Sequence, residues 1–323
     1  MKTLRLLFLL PALASAQESI ERLDPALDEI LAPDAKIETL CKGFDWAEGP
    51  VWDEKERRLL FSDVPRNTIY QWKEGDTEAT VYMKPSGFTG VGNYGSEPGS
   101  NGLAMDDKGR LHFCEHGDRR VSYLTPGGGK RTLADNYNGK RFNSPNDLAI
   151  ARNGDVYFTD PPYGLPGREK DTEFRELPFH GVYRVTPQGV VSLVTRDLDR
   201  PNGVALSPDG KMLYVAQSHG PAPIIMAYPL KPDGSAGGGK IFFNCKGSEG
   251  PGSTGWTEGG CEGQRLLHRS GRLPDPEPRG QTPRADPVRP AHRERRLWRK
   301  WNTALPHLGR PDLAGGSKAI AEA

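Results

Sequence analysis

The sequence predicts an all-β chain folded as a β-propeller. Three observations carry this: a phrase that returns about every fifty residues, a glycine turn inside most copies of it, and no amphipathic helix between copies. Each copy reads polar cluster, short apolar strand, turn, second apolar strand. The first runs Ala47-Glu48-Gly49-Pro50-Val51-Trp52 into Leu59-Leu60-Phe61-Ser62-Asp63, and the second Ser100-Asn101-Gly102-Leu103-Ala104-Met105 into Leu111-His112-Phe113. The third runs Ser144-Pro145-Asn146-Asp147-Leu148-Ala149-Ile150 into Val156-Tyr157-Phe158-Thr159-Asp160, and the fourth Arg200-Pro201-Asn202-Gly203-Val204-Ala205-Leu206 into Met212-Leu213-Tyr214-Val215. Turns at Lys108-Gly109, Asn153-Gly154 and Asp209-Gly210 mark hairpins, Asn-Gly and Asp-Gly being the strongest local signal for one. The leading polar residues Glu48, Asn101, Asn146 and Asn202 stand 53, 45 and 56 residues apart. That spacing fits blades of four strands. Third and fourth strands follow the third copy at Gly181–Val185 and Val190–Val194. A parallel α/β sheet is disfavoured by the missing helices, and a β-sandwich by the long regular period.

Composition narrows the function. The 323 residues carry 43 Lys+Arg against 42 Asp+Glu, a net charge of +1. This balance supplies no general attraction to nucleic acid or to an anionic membrane. Four Cys with no CxxC pair exclude a disulfide scaffold. Lys2 and Arg5, the apolar run Leu6 to Leu10 and Ala14-Ser15-Ala16 follow the order of a secretory signal. The run is too short for a membrane span. The expectation is a signal over 1–16, a lead-in over 17–34, and a periplasmic or secreted protein.

In a propeller the first strand of every blade lines the central channel, so equivalent positions converge on the axis. Here they carry one carboxylate and several amides. Such oxygens are hard ligands, suited to calcium or magnesium. A lone Asn beside Gly is better read as turn chemistry. Glu48, Asn146 and Asn202, in register and each beside Pro or Gly, favour a metal site.

The phrases around Glu48, Asn146 and Asn202, with Phe158-Thr159-Asp160-Pro161-Pro162-Tyr163-Gly164, resemble the regucalcin/gluconolactonase family over residues 35–244. The resemblance implies a six-bladed propeller with a divalent cation in the channel, commonly Ca²⁺, with Zn²⁺, Mg²⁺ and Mn²⁺ as alternatives. It makes Glu48 and Asn202 metal ligands and Asn146 a further ligand or substrate contact. It also implies a small-molecule lactone as substrate, whose carbonyl the metal would polarise as water attacks. Asn101, Asn146, His116 and Arg141 are candidate contacts to a polyhydroxylated substrate, with Arg120, Lys140 and His219 behind them. For the basic residues a solvated loop is the competing reading. A phosphotriesterase-like hydrolase or a non-catalytic binding propeller are the alternative functions, and loop residues 86–98 would decide between enzymes.

The family's last signature, an acidic ligand in a Pro-Asp-Gly phrase one blade beyond Asn202, is absent, so no catalytic residue is assigned. From Pro251 onward there is no Phe or Tyr, Val288 is the only Val and Ile320 the only Ile, against eleven Arg and nine Pro. A disordered tail or a basic interaction tail would read this way. A shifted reading frame explains more. Advancing one nucleotide lets Gly255 to Gly271 become DGLRVDVKGNVFCTGPG and turns Thr254 into Pro, which restores Pro-Asp-Gly. Arg293 to Arg310 can become GNVAFGESGTLLYLTSAD. Residues 245–323 are therefore expected to be a frameshift product after the strand Ile241-Phe242-Phe243. The chain as written would then be an incomplete propeller of doubtful activity.

Overall fold

A computed structural model describes residues 31–218 and 221–244, together with 20, 22 and 25–29. The expected signal over 1–16 and the tail from 245 lie outside the described residues. The described strands form four antiparallel sheets of four strands each, every sheet ordered as its strands follow in the chain. Short alternating strands joined by tight turns can pair only with their sequence neighbours, and that is the meander of a propeller blade.

Blade 1 comprises β1 (Ala47–Asp53), β2 (Arg58–Asp63), β3 (Thr68–Lys73) and β4 (Thr80–Met83). Blade 2 comprises β5 (Ser100–Met105), β6 (Leu111–Glu115), β7 (Arg120–Leu124) and β8 (Lys130–Ala134). A two-stranded hairpin, β9 (Asn136–Tyr137) and β10 (Lys140–Arg141), leads to the next blade. Blade 3 comprises β11 (Leu148–Ile150), β12 (Val156–Asp160), β13 (Gly181–Val185) and β14 (Val191–Thr195). Blade 4 comprises β15 (Pro201–Leu206), β16 (Met212–Gln217), β17 (Ile224–Pro229) and β18 (Lys240–Asn244).

Side chains alternate between the two faces of each sheet, so one blade can pack against both neighbours. Leu60 and Ile69 of blade 1 meet Leu103, Leu111 and Phe113 of blade 2. Cys114 and Val121 of blade 2 meet Leu148, Val156, Phe158 and Tyr183 of blade 3. Tyr157 and Val182 of blade 3 meet Val204, Leu206, Leu213 and Val215 of blade 4. Full burial of each such side chain is worth roughly 1.5–3 kcal/mol, so the inter-blade seams hold the fold together. Among the described residues, Cys41 and Cys114 form no disulfide with each other.

One expectation needs correction. The resemblance implied six blades, whereas the described residues hold four, ending at Asn244. The first strand of blade 3 begins at Leu148, directly after the polar cluster 144–147. Ahead of it, the backbone N–H groups of Asn143 and Ser144 both donate to the Asp160 carboxylate at 2.8 Å. The same device recurs at the end of each second strand but one. Asp63 accepts from the N–H groups of Asp45 and Trp46, and Gln217 from that of Asp199. In blade 2 the corresponding Glu115 instead binds Arg120 and Lys130. These acceptors anchor the incoming segment just before it reaches the axis.

Candidate active site

The site is built by the first strands of the four blades. β1 pairs with β2 as Glu48 opposite Ser62 and then Val51 opposite Leu60, which leaves a bulge at Gly49-Pro50. β5 has the same shift between Ser100 and Leu103, and β15 between Pro201 and Val204. In blade 3, the Asn146 N–H reaches Thr159 O and the Thr159 N–H reaches Asp147 O. Each leading polar residue therefore sits at an irregularity in its strand. A bulge re-aims a side chain that regular pleating would direct into a blade face.

The bulged segments are strung together. Ser62 Oγ donates to Asn101 O at 2.8 Å. Gly102 N donates to Asn146 O at 2.7 Å. Thr159 Oγ1 donates to Asn202 O at 2.6 Å, and Val204 N to Asp147 Oδ2 at 2.9 Å. The approach is close enough to demand glycine. A Cβ on Gly49, whose φ is +54°, would stand 2.2 Å from Asn101 O, and one on Gly102 2.7 Å from Asn146 O. Around the axis the order is therefore Glu48, Asn101, Asn146, Asn202.

The structure thus brings four of the six sequence-derived candidates to one circuit. Asn101 and Asn146 are buried, while Glu48 and Asn202 are partly exposed. Glu48 Oε1 accepts from Trp46 Nε1 at 2.8 Å. Among the described residues, the side-chain amides of Asn101, Asn146 and Asn202 make no hydrogen bond. A carboxylate with unsatisfied amide oxygens is the donor chemistry of a hard divalent cation. His116, just after β6, lies beside the circuit rather than on it: its N–H donates to Gly99 O at 3.1 Å, two residues before Asn101. Arg141 does not join it. That residue is exposed on β10, with Nη2 donating to Asp118 O and its backbone N–H to Glu176. Arg120 pairs with Glu115 and Asp118 on β7, and Lys140 lies on the same exposed hairpin as Arg141. His219 lies outside the described residues.

Loops cover the same end. Residues 161–180 contain a short 3₁₀ turn, Arg168–Lys170, and reach across to the 84–99 segment. Arg168 pairs with Glu97 at 2.9 Å, and Phe174 meets the Tyr94 ring edge-on at 5.6 Å. The sequence shows both loops only by their length. Nothing in their composition announces that Glu97 and Tyr94 come near His116 and Arg119.

A family described as the SMP-30/Gluconolactonase/LRE-like region matches residues 46–261. The chain belongs to this family. The match runs past residue 244, where the resemblance read from the sequence ends. The chain is 41% identical over 218 residues to a gluconolactonase of Zymomonas mobilis subsp. mobilis, covering 67% of this chain and 61% of that protein. It therefore spans under two thirds of that relative's length. A lactonohydrolase of Aspergillus oryzae is 36% identical over 104 residues, 32% of this chain and 23% of that protein. The solved structure of a gluconolactonase from Xanthomonas campestris is similar at a TM-score of 0.58 and 36% identity, covering 68% of this chain and 69% of that one. As a member of the family, the chain has relatives that carry lactone-hydrolase names.

Proposed function

We propose that this protein is a metal-dependent lactonase that hydrolyses a sugar lactone of the gluconolactone type. The observation that carries the reading is the convergence of Glu48, Asn101, Asn146 and Asn202 on one bulged circuit, three of them with amides that no other described residue satisfies. Glu48, Asn146 and Asn202 would hold the cation through oxygen, with calcium the best match to that donor set. When bound, it would polarise the lactone carbonyl. The chain's own residues do the rest. Asn101 orients ring hydroxyls, and the bulges fix the donors so that little reorganisation is needed as charge develops. The Trp46 N–H holds the Glu48 carboxylate in place, ready for the ion.

The finer fold belongs to the same proposal. Six blades would need two beyond Asn244, and the sequence there supplies no Phe or Tyr, few β-branched residues and no Pro-Asp-Gly carboxylate. A one-nucleotide shift after about Phe243 supplies all three. The written chain and a frame-restored chain should therefore be compared on D-glucono-δ-lactone with calcium, after subtracting spontaneous hydrolysis. The expected result is turnover and a higher melting temperature in the restored chain only. Equal turnover by the written chain, or genomic codons that spell no blade strands, would refute the frame reading. Organophosphate turnover without lactone turnover would refute the lactonase reading.

A further inference from the structure

His116 is fully buried, and apart from a contact to the Glu97 backbone its ring nitrogens make no hydrogen bond among the described residues. A buried polar atom left unmatched costs about 1–3 kcal/mol, so such a group calls for an explanation. Its position supplies one. The His116 backbone is tied to Gly99 O, immediately before Ser100 and Asn101. Its ring lies against Gly164, where an added Cβ would fall 2.4 Å from His116 Cβ and Cγ. Gly164 N donates to Ser144 Oγ at 2.9 Å, two residues before Asn146, and Ser144 Oγ donates to Pro161 O at 2.6 Å. The imidazole is thus wedged between the segments that deliver Asn101 and Asn146. Glu97 Oε2 is 3.8 Å from Nδ1, beyond hydrogen-bond reach, and Glu97 Oε1 is held by Arg168.

We propose that His116 is the residue that recognises a hydroxyl group of the lactone, so that the enzyme prefers a polyhydroxylated ring to a plain one. This rests on the lactonase reading above and names a substrate contact within it. Burial keeps the ring neutral, pushing it down to about 4 against a smaller upward pull from the Glu97 backbone. A neutral imidazole offers one N–H donor and one acceptor nitrogen. A sugar hydroxyl both donates and accepts, so one hydroxyl can pair with whichever ring nitrogen faces it. A carboxylate or phosphate could take only the N–H. Entry requires the cover formed by 84–99 and 161–180 to yield, because the ring is closed to solvent in this state.

The test uses the full chain, the stable product D-gluconate and the sparsely hydroxylated 5-hydroxypentanoate, each titrated by calorimetry. His116→Phe removes both polar atoms and keeps a planar ring of somewhat larger volume; His116→Gln keeps a donor and an acceptor. The proposal expects His116→Phe to weaken gluconate by about tenfold and His116→Gln by no more than about threefold. Affinity for 5-hydroxypentanoate should stay unchanged. The melting temperature of His116→Phe at pH 7.5 should not fall, because an orphaned polar group has been replaced by carbon. Gluconate should also move the His116 imidazole resonances of the unmodified chain. A His116→Phe variant that melts lower yet binds gluconate normally would make the ring a core piece and overturn the inference, leaving the lactonase reading intact. Failure of every chain, restored frame included, to bind gluconate would remove both.

Discussion

Four groups shifted by burial give this fold a pH signature, and burial lowers the first of them, His112. Burial pushes His116 and His180 down to about 4, with Arg175 adding to the effect at His180 and Asp199 and Glu169 opposing it. Burial pushes Asp160 up to about 7, although the Asn143 and Ser144 donors and the Arg119 charge pull it down. The signs differ. Unfolded histidine takes a proton near pH 6.5, so each buried imidazole contributes stability above that pH and loses it as the pH falls toward 4. Folded Asp160 takes its proton first, so its contribution grows as the pH falls from about 7 toward 4. Three losses, from His112, His116 and His180, against one gain predict a net fall in melting temperature over this window. Replacing His116 and His180 by Phe should flatten that fall, and Asp160→Asn should steepen it. Melting curves recorded between pH 7.5 and 4.5 decide, and an Asp160→Asn slope no steeper than the parent would contradict the assignment.

At the scale of the element, the bulge with its glycine sets the site. Gly49 has φ +54° and no room for a Cβ against Asn101 O. Gly109, in the β5–β6 turn, has φ +72° but open space around it. Both substitutions to Ala cost backbone strain, about 1 kcal/mol for the left-handed conformation alone. Only Gly49→Ala must also push blade 1 from blade 2. Denaturant titration should therefore show Gly49→Ala losing on the order of 2–4 kcal/mol and Gly109→Ala only about 1 kcal/mol. Equal losses would mean that the first strands do not pack so closely around the axis. The strands themselves were legible because alternation and turn glycines are local: β1, β2, β5, β6, β12, β13 and β15 fall within a residue or two of expectation. The anchoring roles of Asp160 and Gln217 were not, since an acceptor at a strand end looks like any polar residue until its distant N–H partners arrive. The covering loops were illegible for the same reason. Arg168 finds Glu97 across seventy-one residues of chain.

Across the whole molecule, three apolar seams join four blades in sequence order. Alternation also gives blade 4 a second apolar face: Ala205, Tyr214, Ala216 and Ile225 point away from blade 3, and Tyr214 meets Phe242 of β18 edge-on at 4.9 Å. That face is built like the ones that seat a neighbouring blade. The axial Glu and Asn residues were legible because the repeat put them in register. Their shared circuit needed the structure, and so did the separation of Arg141 from it, because the β9–β10 hairpin carries no repeat signal.

The central claim is that Glu48 and the axial asparagines form one cation site that drives lactone hydrolysis. Its most direct test is calcium titration of D-glucono-δ-lactone turnover in the frame-restored chain and in its Glu48→Gln variant. The account predicts that chelation abolishes turnover and calcium restores it. It also predicts that Glu48→Gln, which gives up a negative charge at the ion, needs far more calcium and loses most of its rate. Turnover that ignores chelator, or a Glu48→Gln variant with the parent's calcium requirement, would contradict it.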